Sequence, residues 1–269
     1  NTASAQITLD GNNITSLSNT TVNGFTFIPA SNLSDGSHSL QIIVKDNADN
    51  QATSNTSFTT DATPPVITES KNPVANANFW NNSDVTVHFV ATDVSGIVSI
   101  TPDVVVSTEG AGQLVTGTAT DTAGNSALLT VTINIDKTVP IISASTSPAA
   151  NSNGWINQTP AQVSFSATDG LSGIETVSSP VSIATEGENQ VITGVATDKA
   201  GNSANIQVIL NIDQTAPIAS AQVSPAANAA LWHNTSPVVV SFSGTDTLSG
   251  VAAVSQSASV TQEGTSQIE

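Results

Sequence analysis

Residues 114–136 read LVTGTATDTAGNSALLTVTINID. Small, apolar and β-branched residues stand on both sides of Asp121-Thr122-Ala123-Gly124-Asn125, and Asp, Gly and Asn are the residues that close tight turns. The pattern predicts a hairpin of two antiparallel strands. The same turn sequence recurs 77 residues later as Asp198-Lys199-Ala200-Gly201-Asn202, so the hairpin is predicted to belong to a repeated unit.

Four other motifs recur in a fixed order around the hairpin. They are Asp-x-Thr-x-Pro at Asp61, Asp136 and Asp213; a Trp at Trp80, Trp155 and Trp232; an Asp that ends an alternating strand at Asp93, Asp169 and Asp246; and Glu-Gly at Glu109, Glu186 and Glu263. These motifs divide the chain into four repeats. The first (residues 1–61) is diverged or truncated at its N-terminus, the second and third (62–136 and 137–213) are full repeats, and the fourth (214–269) is truncated at its C-terminus.

Each repeat contains a segment with a periodicity of two. The apolar positions are Val85, Val87, Phe89 and Ala91, then Val163, Phe165 and Ala167, then Val238, Val240 and Phe242. Such alternation is typical of strands with one face in a core. Because short strands follow one another at intervals of about 8–12 residues without helical segments, we expect an all-β chain of antiparallel sandwiches.

The motif set resembles the tandem bacterial immunoglobulin-like repeats of large surface proteins and adhesins over residues 61–269. The first repeat resembles a related bacterial Ig-like type through Leu9-Asp10-Gly11 and Leu33-Ser34-Asp35-Gly36. The resemblance implies tandem Ig-like β-sandwiches in an elongated rod, on an extracellular or cell-surface protein. The neighbouring repeats of the same chain would then be the partners, and other domains would contact a host-surface or glycan ligand.

The composition excludes several functions. Twenty-one acidic residues stand against four Lys, for a net charge of −17, which disfavours nucleic acid as a partner. There is no Cys, and no apolar run is long enough to span a membrane. The three histidines, His38, His88 and His233, look isolated and occupy different positions in their repeats. We therefore expect this chain not to be an enzyme.

The repeated acidic residues predict calcium at the repeat junctions. In an Ig-like sandwich, the loop after the second strand and the last hairpin loop lie beside the incoming linker, and the Glu-Gly turn of the preceding repeat points toward the same junction. The predicted ligands are Asp61, Asp93, Asp121 and Asn125 at one junction, and Glu109, Asp136, Asp169, Asp198 and Asn202 at the next; Asp213, Asp246 and Glu186 remain at a third. Calcium takes six to eight oxygen ligands. The alternative is that these side chains only cap turns.

The function that follows is a structural stalk or spacer, with calcium stiffening its junctions. Two alternatives stay open. The repeated Trp would either cover one end of each core or, if exposed, stack on sugars in a carbohydrate-binding module. The chain would otherwise be an accessory spacer of an extracellular glycoside hydrolase.

Overall fold

The computed structural model describes residues 2–17, 19–21, 24–262 and 264, so Glu263 lies outside the described residues. The described chain is built from strands with one short 3-10 turn, which confirms the all-β prediction of tandem sandwiches. It forms two compact units, Asn1–Asp136 and Lys137–Glu269. The break follows Asp136, where one repeat boundary is predicted. The finer division into four repeats stays a prediction.

The first repeat contains a four-stranded sheet in the order β2-β1-β5-β6 and a small hairpin, β3-β4. The elements are β1 Thr2–Leu9, β2 Asn12–Asn13, the 3-10 turn Thr15–Leu17, β3 Asn19–Thr21, β4 Gly24–Thr26, β5 Gly36–Asp46 and β6 Gln51–Thr60. Ile7, Leu9 and Ile14 are buried and pack against Phe25, Phe27 and neighbouring apolar side chains. The core of this repeat is therefore small.

The second repeat is a sandwich of two three-stranded sheets, β10-β8-β7 and β12-β11-β9. The strands are β7 Val66–Asn72, β8 Val85–Thr92, β9 Ile97–Ile100, β10 Val104–Val106, β11 Gly110–Asp121 and β12 Ser126–Ile135. The predicted hairpin is present, with Leu114 opposite Thr132 and Thr120 opposite Ser126. The inward positions Val85, Val87 and Phe89 pack against Val115, Val131, Ile133 and Ile135 of the other sheet.

A glycine lets the two sheets approach each other at the centre of this core. A Cβ at Gly117 in β11 would lie 2.5 Å from Cδ1 of Phe89, far inside van der Waals contact. The Phe89 ring therefore occupies the place where any other residue would put its side chain. The third repeat has the same arrangement, because a Cβ at Gly194 would lie 2.3 Å from Phe165.

The third repeat has sheets in the order β13-β15-β17 and β14-β19-β18-β16. The strands are β13 Ile141–Ser147, β14 Trp155–Ile156, β15 Ala161–Thr168, β16 Ile174–Val177, β17 Val181–Ile183, β18 Gly187–Asp198 and β19 Ser203–Ile212. The core lies between Ala161, Val163 and Ile183 on one side and Leu210 and Ile212 on the other.

The fourth repeat contains one sheet within its described residues, β20-β21-β22. The strands are β20 Ile218–Ser224, β21 Val238–Thr245 and β22 Ala258–Val260. Phe242, which corresponds to Phe89, is 41% exposed, so the prediction that it lies in a core is wrong here. The reason is that no second sheet faces β21 in the described part of this repeat.

Candidate cation site and the repeat junctions

The Asp-x-Ala-Gly-Asn turns are closed by their own side chains. Asp121 is buried, and its Oδ1 accepts a hydrogen bond from the Asn125 backbone amide at 2.8 Å while its Oδ2 accepts one from Asn125 Nδ2 at 2.9 Å. Asp198 and Asn202 make the same two bonds, each at 2.8 Å. Turn capping is thus a real role of these residues. Cation binding is compatible with it, because a carboxylate has further lone pairs.

Three carboxylates converge where the linker enters the second repeat. Asp61 lies in the linker after β6, Asp93 follows β8, and Asp121 ends β11; each offers one oxygen, and these oxygens lie within 4.8 Å of one another. Oδ1 of Asp61 accepts the Thr63 amide at 3.0 Å, whereas its Oδ2 is buried and has no hydrogen-bond partner in the described structure. A buried carboxylate oxygen without a donor is unfavourable unless a cation balances it.

Hydrogen bonds lower the pKa of Asp121 and of Asp169, its counterpart in the third repeat's carboxylate pair. Burial raises the pKa of Asp121, but bonds from the Asn125 side chain and from turn amides lower it more, so the pKa lies below its ordinary value. The pKa of Asp169 is likewise lowered: burial raises it, and the amides of Gly173 and Leu171 outweigh that effect. Asp93 Oδ1 accepts the Ser95 amide at 2.8 Å and its hydroxyl at 2.7 Å. Like charges packed this closely favour a divalent cation.

Asn125 enters the junction as a hydrogen-bond donor. Its Nδ2 contacts the Asp61 carbonyl oxygen at 3.1 Å as well as Asp121. The second repeat therefore binds the linker directly. The amide nitrogen of Asn125 faces the Asp61 carbonyl and the Asp121 carboxylate in this geometry, and its role as an oxygen ligand of calcium stays a prediction.

The corresponding carboxylates of the third repeat, Asp169 and Asp198, also place oxygens within 4.8 Å of each other. Oδ1 of Asp169 accepts the amides of Leu171 and Gly173 at 3.0 and 2.7 Å. Asn202 Nδ2 contacts the Thr138 carbonyl at 3.2 Å. The third predicted carboxylate, Asp136, is fully buried as the last residue of the first compact unit. There its amide donates to the Asn81 carbonyl at 2.9 Å.

Asp213 shows a related arrangement where the fourth repeat begins. Its Oδ2 accepts the Ser249 amide at 2.9 Å, and its Oδ1 accepts the Thr215 amide at 3.0 Å. Bonds from Ser249 and Thr215 hold the pKa of Asp213 below its ordinary value. Because Ser249 belongs to the loop that follows Asp246, this loop contacts the linker from the fourth repeat. Glu109, Asp136, Asp169, Asp198 and Asn202 stay predictions as calcium ligands.

Two histidines that seemed isolated in the sequence have acidic partners. His38 is buried, and its Nδ1 lies 2.7 Å from Asp10 Oδ2 while its Nε2 lies 2.8 Å from the Ser34 carbonyl oxygen. Both partners are pure acceptors, so both contacts require the protonated ring. Asp10 and Ser34 raise the pKa of His38. Exposed His88 lies 2.5 Å from Asp103.

The repeated Trp residues follow turns that are closed by an Asn. Oδ1 of Asn76 accepts the amide of Trp80 at 3.1 Å, and Asn151 and Asn228 make the equivalent bonds at 3.0 and 2.9 Å. Trp80 and Trp155 are half-buried, whereas Trp232 is 59% exposed. Partial burial of the first two agrees with an end-covering role, and the open fourth repeat leaves its Trp exposed.

The strand order and the closed Asp-Asn turns define a chain of antiparallel β-sandwich repeats. A family model described as bacterial Ig-like domain matches residues 1–62, which confirms the resemblance to a bacterial Ig-like type for the first repeat. No curated protein matches the chain. No helix in the described residues has the length and apolar character needed to cross a membrane.

Solved structures similar to the chain include repeats of two adhesion proteins and modules of a bacterial CbhA protein. A tetra-tandem repeat from the extending region of a large adhesion protein is 20% identical and covers 96% of this chain and 80% of its own, with a TM-score of 0.31. A calcium-stabilised adhesin of an Antarctic bacterium is 18% identical, with coverages of 90% and 73% and a TM-score of 0.28. Fibronectin(III)-like modules of Clostridium thermocellum CbhA are 12% identical, with coverages of 55% and 95% and a TM-score of 0.30.

Proposed function

We propose that this chain is a structural spacer segment of a secreted or cell-surface bacterial protein of the adhesin type, and that calcium stiffens its repeat junctions. One observation carries the calcium part of the proposal. Asp61, Asp93 and Asp121 bring oxygens within 4.8 Å of one another, and Oδ2 of Asp61 is buried without a partner. The spacer role has no catalytic component.

The donor set suits calcium among the common metals. All three groups are carboxylates, which are hard oxygen ligands, and neither His nor Cys joins them. Calcium accepts six to eight oxygens at about 2.3–2.6 Å, so backbone carbonyls and water would complete the shell. Zinc and other transition metals prefer nitrogen or sulfur ligands.

The placement of these ligands explains how calcium would stiffen the chain. Asp61 belongs to the linker, whereas Asp93 and Asp121 belong to two different loops of the second repeat. A cation bound to all three would fix the linker to the end of the sandwich that it enters. Without the cation, three ionised carboxylates repel one another and loosen the same point.

The test is a calcium titration of the full chain, followed by calorimetry of binding and of thermal unfolding. Ligand at a hundredfold excess over Kd stabilises the folded state by about 2.7 kcal/mol, so calcium should raise the Tm of the second repeat by several degrees. Asp93→Asn keeps the oxygen that accepts the Ser95 amide but removes the charge. It should lower the number of bound calcium ions by one.

Asp103→Asn is the matched control, since Asp103 is an exposed carboxylate of the same repeat with its side chain 58% accessible. It should leave the calcium response unchanged. If millimolar calcium changes neither the Tm nor the small-angle scattering of the wild-type chain, the calcium part of the proposal is wrong. The spacer would then have flexible junctions with turn-capping aspartates.

A carbohydrate-binding role is the second candidate, and one observation favours it. Trp232 and the adjacent Leu231 are exposed, at 59% and 85%. Aromatic rings with an accessible face stack on sugars, and the neighbouring Asn228 and Asn234 would supply polar contacts. Binding of the full chain to a glycan array, abolished by Trp232→Ala, would support this role; the absence of any bound glycan would contradict it.

A further inference from the structure

In the first and third repeats, the acidic residue that precedes the penultimate strand contacts the linker that leaves the repeat. In the first repeat this residue is Asp35, directly before β5. Its Oδ1 accepts the Ala62 amide at 2.8 Å, and its Oδ2 accepts the hydroxyl of Thr63. These bonds lower the pKa of Asp35, the Thr63 bond most strongly. A single carboxylate thus binds two consecutive linker residues.

The third repeat repeats this contact with a longer side chain. Glu186 directly precedes β18, and its Oε1 accepts the Gln214 amide at 2.6 Å while its Oε2 accepts the hydroxyl of Thr215 at 3.0 Å. Thr63 and Thr215 occupy the same position of the Asp-x-Thr-x-Pro motif. Each of them also donates its amide, at 3.0 Å, to the motif's Asp.

The following repeat binds the same short linker from the other side. Asn125 of the second repeat contacts the Asp61 carbonyl at 3.1 Å, and Ser249 of the fourth repeat contacts the Asp213 carboxylate at 2.9 Å. The preceding repeat therefore binds the residues after the linker Asp, and the following repeat binds that Asp. The contacts from the preceding repeat and those from the following repeat therefore fall within three consecutive linker residues.

We propose that Asp35 with Thr63, and Glu186 with Thr215, form a linker clamp that fixes the exit of the first and third repeats without a cation. The clamp assigns a function to the Thr of the linker motif and to the acidic residue of the Glu-Gly motif. It deepens the proposed spacer function and rests on it only for the biological need of stiffness. Its contacts involve no oxygen of the Asp61, Asp93 and Asp121 cluster.

Charge-assisted hydrogen bonds make the carboxylate suited to this role. A carboxylate accepts an amide and a hydroxyl at the same time, and such bonds are about twice as strong as neutral ones. Pro64 and Pro65 follow immediately and restrict the backbone. Two fixed residues next to two prolines leave few free torsions between β6 and β7.

The experiment compares linker mobility in the full chain with calcium and with chelator. The chain has no cysteine, so Ser57→Cys in β6 and Leu128→Cys in β12 introduce two spin labels at exposed positions. Thr63→Val removes the hydroxyl and keeps the side-chain shape. It should broaden the label-to-label distance distribution under both conditions, and it should raise the exchange rate of the Ala62 amide about fivefold, as the loss of roughly 1 kcal/mol predicts.

Two further variants define the clamp. Asp35→Asn should broaden the distribution like Thr63→Val, whereas Asp35→Glu should restore the narrow one, because Glu186 serves at the equivalent position. Thr130→Val is the matched control: Thr130 bonds to Thr116 Oγ1 at 2.8 Å on the exposed face of the hairpin, and its loss should leave the distribution unchanged.

The outcomes separate the clamp from the calcium proposal. If Thr63→Val leaves the distribution and the Ala62 exchange rate unchanged in chelator, the clamp is wrong, whatever calcium does. If wild type shows the same narrow distribution with calcium and with chelator while Thr63→Val broadens both, the clamp is supported and calcium stiffening is contradicted.

Discussion

Replacing Gly117 by alanine tests the packing at the centre of the second repeat. The new Cβ would lie 2.5, 2.6 and 2.7 Å from three ring carbons of Phe89, whereas carbon atoms pack best about 3.5–4.0 Å apart. The ring is 3% exposed in the core, so it cannot swing into solvent. One of the two sheets, or the ring, must shift by about 1 Å.

Overpacking of this kind costs about 1–3 kcal/mol. In a domain of this size each kcal/mol lowers the Tm by about 4–8 °C. Scanning calorimetry of the full chain should therefore show one destabilised transition, and hydrogen exchange of β8 and β11 amides should assign it to the second repeat. Gly170→Ala is the control, because no atom lies within 4 Å of its Cβ position; it should leave every transition in place.

A double mutant decides whether the contact with Phe89 is the cause. Phe89→Leu removes ring atoms and should destabilise the repeat by itself. Combined with Gly117→Ala, it should cost less than the sum of the two single changes by about 1 kcal/mol or more, because the smaller side chain leaves room for the Cβ. Strict additivity, or a Gly117→Ala variant as stable as wild type, would refute the explanation.

Two further predictions concern the polar contacts. The contacts of protonated His38 stabilise the first repeat. This contribution is fully present below about pH 6.5, and it is lost as the pH rises through the raised pKa of His38 in the folded state. The pKa of Asp10 is lowered, so the contribution of Asp10 is lost only in acid. His38→Asn should flatten the decline in Tm above about pH 6.5, and a pH profile identical to that of the wild type would contradict this. Asn76→Ala removes the bonds to the Asn78 and Trp80 amides and should destabilise the second repeat by about 1 kcal/mol, measured by urea unfolding; an unchanged midpoint would count against the turn-closing role.

The hairpin and the inward strand faces could be predicted because they depend on local sequence. Asp121 to Asn125 encode their own turn, and the alternation of Val85, Val87 and Phe89 identifies the buried face without knowledge of the partner sheet. The same alternation predicts that Phe242 is buried, but this side chain is exposed. Burial there depends on a facing sheet, which the pattern of a single strand does not specify.

The contacts between distant residues required the structure. Asp10 and His38 are 28 residues apart and meet because β1 pairs with β5 in a particular register, which the sequence does not specify. In the sequence, Asp35 stands out only as part of the Leu33-Ser34-Asp35-Gly36 motif. Asp35 and Glu186 both stand directly before the Gly that begins a long strand. This shared position is the feature of the sequence from which the contact of Asp35 with the linker could have been predicted.

The path of the chain through the third repeat determines how that repeat would respond to tension. The linker before the third repeat contacts Asn202, in the turn that follows β18. The linker after the third repeat contacts Glu186, directly before β18 begins. A pulling force between these points runs along β13, whose ladder with β15 extends from Ile141 opposite Thr168 to Ser147 opposite Gln162. Its hydrogen bonds are loaded together in shear and do not open one at a time. The repeat thus resists being pulled apart along the direction in which its chain runs.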